Sequence, residues 1–265
     1  MKLENYELHL PSYSVGKEVY NQIGKICKPY GTKVLVIGGK KALSAAFDKI
    51  SKNAADGGLD IIGKEIYGTD CTYEAVERLA ALPAFKEADM VFAVGGGKAI
   101  DTCKCLCIEC EKPVFTFPTI ASNCAACTSV SIMYHEDGTF FKPHFFTHPA
   151  AHAFIDTQII AAAPYRYLWA GIGDTYAKNY EAEISSRGEK LPHYTEVGVG
   201  FSKMCLTPML EYGRQALEDN KKGVATEALE QVVLAIVVTT AIVSIFLTRD
   251  FTPDYNSGLA HACFY

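Results

Sequence analysis

The stretch Met90–Lys104, MVFAVGGGKAIDTCK, restricts the possible folds more than any other part of the chain. Met90–Val94 is a short apolar run with β-branched content, the length of one buried strand. Three glycines follow, and Lys98–Cys110 then has helical spacing, with Ile100, Cys103 and Cys107 on one face. Strand, glycines and helix in that order aim backbone N–H groups and a helix N-terminus at one point, where a phosphate can be held. Gly95, Gly96 and Gly97 let a diphosphate approach the backbone where a Cβ would block it. Lys98 places a cation at a helix start, where the macrodipole favours an anion, so a bound anion is expected beside it. Asp101, one turn further in, is placed to accept a hydrogen bond from a ligand hydroxyl. The glycines match neither G-x-G-x-x-G nor G-x-x-x-x-G-K-[ST], and alone they are equally a plain strand-to-helix turn.

Around this unit the first half alternates strand and helix patterns. Residues 7–14 suggest a short edge strand, and Val15–Cys27 has helical spacing. Lys33–Ile37 is a strand followed by Gly38-Gly39 and a helix over Lys41–Asn53. Leu59–Tyr67 is the next strand, and Thr72–Leu82 a helix capped by Thr72. Val114–Phe117 is a further strand after Lys112-Pro113. Such alternation predicts a doubly wound parallel sheet, which binds ligands at the carboxyl ends of its strands. Both glycine turns lie at such ends. From about Ile159 the pattern becomes helical, over Tyr165–Ser186, Tyr194–Asn220 and Thr226–Arg249, with a last helical start at Leu259. The expected architecture is α/β, with a Rossmann-like domain over 1–163 and an all-helical domain over 164–265.

A formal charge of −5 over 265 residues, with no basic run, argues against nucleic acid or an anionic membrane as the main partner. Val232–Thr248 is uncharged for 17 residues but carries Thr239, Thr240 and Ser244 and has no aromatic belt, so a buried core helix is expected rather than a span. The N-terminal MKLENYELHLP has no apolar signal region, and the ten cysteines are expected to be reduced, buried core residues of a cytoplasmic protein. Cys103, Cys107 and Cys110 share a helix face from which Cys105 points away, and Cys124-x-x-Cys127 lacks a paired zinc knuckle. His144, His148 and His152 have i, i+4 spacing, but Pro143 and Pro149 oppose a helix there and leave them as loop or surface residues.

Two further stretches carry chemistry. Pro118–Ser122, PTIAS, follows a strand directly and sets the Thr119 and Ser122 hydroxyls beside the glycine turn. Ala161–Glu183 places Asp174 on a helix among apolar neighbours, and His261 follows in GLAHA. A partly buried carboxylate is usually paired or metal-bound. Together GGGKAIDTCK, PTIAS, DTQIIAAAP–GIGDTYAKNYEAE and GLAHA resemble the iron-containing alcohol dehydrogenase superfamily, in its glycerol dehydrogenase-like branch, from about Tyr13 onward. The resemblance implies a dehydroquinate synthase-like fold, NAD(P) over the GGGK turn, and a divalent metal (Zn or Fe) in the cleft between domains. It assigns Gly39, Gly96, Gly97, Lys98, Asp101, Thr119 and Ser122 to the cofactor, with Thr128, Val130 and Tyr134 on its nicotinamide side. It assigns Asp174 and His261 to the metal, and implies a homo-oligomer. The implied reaction is hydride transfer between nicotinamide and the CH–OH or carbonyl carbon of a small alcohol, polyol or 2-hydroxy acid, with the metal as Lewis acid.

Three departures from that pattern qualify the expectation. The family's second metal histidine lies further along than Tyr265, so the sequence resembles a C-terminally incomplete member. Two protein ligands rarely hold a catalytic Zn²⁺, so weak metal binding and poor turnover are expected. Cys124 stands where glycerol dehydrogenases carry a polyol-binding Asp; this weakens the case for glycerol and favours 2-oxo or 2-hydroxy acids, as in hydroxycarboxylate dehydrogenases. Gly38-Gly39-Lys40-Lys41 stands where NAD-preferring members often place an Asp, so NADP(H) is expected to be accepted at least as well as NAD(H). A glycerol-1-phosphate dehydrogenase-like enzyme and a non-catalytic nucleotide-binding fragment are the alternatives; a dehydroquinate synthase-like lyase fits less well, since that branch favours Glu at Asp174.

Overall fold

The computed structural model describes residues 5–263. In chain order the strands are β1 (Tyr13–Val15), β2 (Lys33–Gly38), β3 (Asp60–Ile66), β4 (Met90–Gly95), β5 (Val114–Pro118), β6 (Val130–Tyr134), β7 (Phe140–Phe145) and β8 (His152–Ile155). Six of them form one parallel sheet in the order β1-β8-β5-β4-β2-β3, while β6 and β7 pair as an antiparallel hairpin. The helices of this half are α1 (Ile23–Cys27), α2 (Lys40–Asp56), α3 (Tyr73–Ala80), α4 (Pro83–Glu87), α5 (Gly97–Ile108) and α6 (Thr157–Ala161).

Alternation along the central strands explains why both faces must be covered. Val34, Val36, Met90, Phe92, Phe115, Phe117 and Phe154 pack with Ile23, Leu43, Ala46 and Ile50 of α1 and α2. Leu35, Ile37, Val91 and Ala93 pack with Ile100, Cys103 and Cys107 of α5 on the other side. Each fully buried Val, Leu, Ile, Phe or Met among them contributes about 1.5–3 kcal/mol of transfer free energy. The expected doubly wound sheet is therefore present, with helices on each face. The second core does not stop at the sheet. It continues through Ala121 and Ala125 to Leu168 and Ile236 of the helical half.

That half consists of α7 (Tyr165–Ser185), α8 (His193–Lys221), α9 (Glu227–Leu234), α10 (Thr240–Leu247) and α11 (Leu259–Ala262). Between α9 and α10, Ala235–Thr239 forms a π-turn, and the Thr240 hydroxyl donates to the Ala235 carbonyl at 2.9 Å. Glu227–Leu247 is long and apolar enough to cross a membrane by length and composition. Two-thirds of its most apolar window is buried within the protein, as expected of a core helix.

Several sequence expectations change. The edge strand is Tyr13–Val15 rather than 7–14, and Val15–Cys27 divides into a 3₁₀ turn at Val19–Gln22 and the short α1. His152 is no loop residue: it lies buried in β8, with Ser12 Oγ 2.7 Å from Nδ1 and Ser14 Oγ 2.9 Å from Nε2. Burial lowers its pKa to about 4. His144 belongs to β7, where its ring lies between Glu109 (2.7 Å) and the Tyr73 hydroxyl (3.0 Å). Cys105, expected to point away from its neighbours' face, is buried like Cys103 and Cys107, because β6 packs on the side of α5 that the sheet leaves uncovered. Cys110 and Cys263 are exposed and Cys124 is half-buried, so only seven of the ten cysteines are buried as expected. The Thr72 cap is present, its Oγ1 accepting from Ala75 N–H at 3.1 Å.

Candidate functional site

The carboxyl ends of β2 and β4 lie side by side, and each runs through glycine into a helix. A Cβ on Gly38 would sit 2.4 Å from the Val94 carbonyl oxygen, so the two strand ends approach as closely as glycine alone permits. Gly95 turns the chain with φ +156, and a Cβ there would meet that of Ala99 at 2.8 Å. The helices that follow, α2 and α5, have glycine N-caps, no capping side chain and no acid in the first turn. Their first N–H groups and their positive dipole ends open on one cleft of about 1100 Å³.

Of the residues assigned to the cofactor, Gly39, Gly96, Gly97, Lys98, Asp101, Thr119, Ser122 and Tyr134 line this cleft. Thr128 and Val130 do not line it. They sit behind α5, where the Thr128 hydroxyl (3.1 Å) and the Val130 carbonyl (2.6 Å) accept hydrogen bonds from Lys104. The anion expected beside Lys98 is supplied by the chain itself, since Asp70 pairs with its ammonium, which also lies 4.9 Å over the Tyr134 ring. Asp101 is 6% exposed, and its Oδ2 accepts from Ile132 N–H at 3.1 Å. Its Oδ1 lies 2.9 Å from Lys104 Nζ as an ion pair, yet it is out of line for a hydrogen bond and accepts none among the described residues. Burial raises its pKa, with the Lys104 charge working against that rise. The cleft's other carboxylate, Asp156, is paired with Lys49 at 2.9 Å. Lys40, Lys41 and Arg166 add positive charge to the walls. Uncapped N–H donors, glycine backbone open to close approach and a net cationic rim suit a dinucleotide, with its phosphates at the helix starts.

At one end the cleft reaches α7. A Cβ on Gly171 would lie 2.2 Å from the Ala121 carbonyl oxygen, so this helix rests directly on the PTIAS strap. Asp174 follows within one turn and His261 comes to it from α11, with Nε2 3.5 Å from Asp174 Oδ1. Glu181 completes the group. Its Oε2 is 2.8 Å from His261 Nδ1 and its Oε1 accepts from His261 N–H at 3.1 Å. Burial raises the Glu181 pKa, but the hydrogen bonds and charge of His261 prevail and lower it to about 2. A carboxylate accepting from Nδ1–H would leave Nε2, on the Asp174 side, as the ring nitrogen able to bind a metal. Burial also raises the Asp174 pKa, opposed by Lys178 and His261. Lys178 is itself buried and donates to the Asn256 carbonyl. Cys124 borders this end outside the cleft lining; burial and then the Asp174 charge raise its pKa to about 12.

Asp174 and His261 are donors of types that suit a divalent ion. Among the described residues no group of three or more His, Cys, Asp and Glu side chains is arranged to hold a metal.

Lys104, Lys178 and Glu181 were not singled out from the sequence, nor were Ile120, Asn123 and Ile132 of the cleft wall. The spacing Asp174, Lys178, Glu181 (i, i+4, i+7 on one helix face) was the available signal for two of them.

Comparison with known proteins gives this geometry a family. The sequence model of the family described as iron-containing alcohol dehydrogenase matches residues 11–156. A glycerol dehydrogenase of Escherichia coli O6:H1 is 32% identical over 227 residues, covering 84% of this chain and 62% of that protein. Hydroxycarboxylate dehydrogenase A of Escherichia coli K12 is 32% identical over 207 residues, covering 78% of this chain and 56% of that protein. The solved structure of a probable glycerol dehydrogenase from Sinorhizobium meliloti 1021 superposes with a TM-score of 0.80 at 27% identity, covering 97% of this chain and 70% of that one. The chain thus spans about three-fifths of the length of the curated relatives it matches. It belongs to the iron-containing alcohol dehydrogenase family, on its glycerol dehydrogenase-like side.

Proposed function

We propose that the chain serves a metal-dependent, NAD(P)-linked oxidoreductase that moves a hydride between nicotinamide and the CH–OH or carbonyl carbon of a small alcohol, polyol or 2-hydroxy acid. One observation carries this most directly. Two uncapped helix N-termini open on a single cleft, and the strap at its end bears on the helix that holds Asp174. Residues 1–163 form the dinucleotide-binding domain in this proposal, and 164–265 belong to the metal and substrate domain.

The first turns of α2 and α5 bind the diphosphate through backbone N–H groups, and Asp101, in the cleft lining, is the residue placed to meet a ligand hydroxyl. Asn123, Ile132 and Tyr134 wall the cleft at the strap end, where the nicotinamide is oriented toward α7. Asp174 and His261 would hold the ion, Zn or Fe, and Glu181 keeps the proton on His261 Nδ1. When bound, the ion polarises the alcohol oxygen and the nicotinamide carries the hydride. The partners are small molecules, in a cytoplasmic homo-oligomer.

A 2-oxo or 2-hydroxy acid is the second substrate class. Cys124 leaves no carboxylate at that position to repel an acid, and the similarity to a hydroxycarboxylate dehydrogenase supports it. Titration of the chain with NADH and NADPH, followed by nicotinamide fluorescence, tests the cofactor assignment; no saturable binding of either refutes it. Rates with Zn²⁺ or Fe²⁺ on glycerol and on 2-oxobutyrate then separate the substrate classes. Turnover of glycerol with none of 2-oxobutyrate removes the acid.

A further inference from the structure

Lys104 has no exposed surface, yet carries an ammonium. Burying such a charge is costly unless it is fully paired. Here five oxygens surround it. They are the carbonyls of Ala125 (2.9 Å), Thr128 (3.3 Å) and Val130 (2.6 Å), the Thr128 hydroxyl (3.1 Å) and Asp101 Oδ1 (2.9 Å). All but Asp101 belong to one six-residue segment, 125–130. That segment begins just after Asn123, in the cleft wall, and leads into β6, which carries Ile132 and Tyr134 of the same wall. Asp101 continues the tie through Ile132 N–H, and Ser131 Oγ donates to the Asp101 carbonyl at 3.1 Å. Among the described residues, Gly96, Gly97 and Lys98 at the phosphate-facing start of α5 are not partners of the ammonium. The ammonium thus pins the nicotinamide-side wall to α5 from behind, without touching the cleft.

We propose that Lys104 is a positioning residue for the nicotinamide half of the bound dinucleotide, acting through the 125–130 segment and β6, with no part in seating the diphosphate or adenosine. This rests on the dinucleotide assignment of the cleft. Two ligands divide its two halves. NADH spans the whole cleft, whereas ADP-ribose lacks only the nicotinamide ring and reports the α2 and α5 helix starts together with the ribose contacts. Lys104→Met removes every donor; Lys104→Gln keeps an amide donor for the nearest carbonyls and serves if the methionine variant does not fold.

Binding is read by NADH fluorescence and by calorimetry with ADP-ribose, at a temperature where circular dichroism shows the variant folded. The expected result is ~10-fold weaker NADH binding, about one hydrogen bond in magnitude, with ADP-ribose unchanged and the glutamine variant intermediate. Equal losses for both ligands mean a general structural defect and overturn the proposal. So does no loss for either. If the unsubstituted chain binds ADP-ribose but not NADH, the positioning role fails while the phosphate seat stands. If it binds neither, the dinucleotide assignment fails and the proposal with it.

Discussion

Gly171→Ala tests whether the cofactor cleft and the Asp174 helix are mechanically one unit. The added Cβ would lie 2.2 Å from the Ala121 carbonyl oxygen, against 3.4 Å for an ordinary contact, so helix and strap must separate by up to 3.4 − 2.2 = 1.2 Å. The obstacle is backbone and cannot rotate away; the Ile236 methyl, at 3.0 Å, can yield cheaply. Overpacking against a fixed wall costs about 1–3 kcal/mol, and backbone contact places this site at the upper end. Alanine returns up to ~1 kcal/mol through helix propensity. The net expectation is about 2 kcal/mol of destabilisation, or a melting temperature lowered by ~4–8 °C for a chain of this size. Asp174, within one turn of Gly171, moves with the helix, and a displacement near 1 Å is worth ~10²-fold in a positioned reaction. The diphosphate seat on α2 and α5 does not move. Thermal denaturation by circular dichroism, with NADH titration beside it, reads both effects. A variant as stable as the parent or more so, showing only the propensity gain, would falsify the direct contact of α7 with the strap.

Three further outcomes follow from the same geometry. Glu181→Gln replaces an acceptor of the His261 Nδ1 proton by a group that can also donate, so ring-nitrogen NMR should show the proton shifting to Nε2, with Zn²⁺ affinity down ~10–100-fold; an unchanged tautomer and affinity refute the role given to Glu181. His152, with a folded pKa of about 4 against 6.5 when unfolded, stays neutral in the core while the unfolded chain takes up a proton. Its stabilising contribution is therefore complete above pH 6.5 and is lost as pH falls toward 4, at up to about 1.4 kcal/mol per unit. In His152→Gln, urea unfolding between pH 6 and 4.5 should show a correspondingly flatter pH dependence, and an identical slope contradicts the assignment. Replacing Lys40 and Lys41 together by serine should weaken NADPH binding ~10-fold or more and NADH binding little, as expected when two cations face one phosphate; equal losses show that both lysines are merely solvated.

The parts of the fold legible in the sequence are those specified locally. β2, β4 and β5 are short apolar runs bounded by glycine or proline, and the starts of α2, α3 and α5 are in view. The missed elements depend on distant partners. β8 contains only four residues, one of them histidine, and is a strand because β5 and β1 pair with it on either side. The β6–β7 hairpin carries a local sign, Asp137-Gly138 between β-rich segments, although Pro143 lies within its second strand. At the site the difference is similar. Asp174 and His261 are identifiable by residue type and motif, whereas Glu181 and Lys104 matter through what they touch 80 and about 20–25 positions away.

The position of β1 bears on the order in which the sheet is assembled. β1 has one neighbour, β8, so Tyr13–Val15 must wait for residues 153–155 before any ladder can form. By then β2, β3, β4 and β5, whose pairings span far shorter stretches of chain, already have their partners. Closing the long loop is the slow step that such topology imposes. During synthesis the first strand made is consequently the last to join, and its arrival brings the Ser12 and Ser14 hydroxyls to the buried His152 ring.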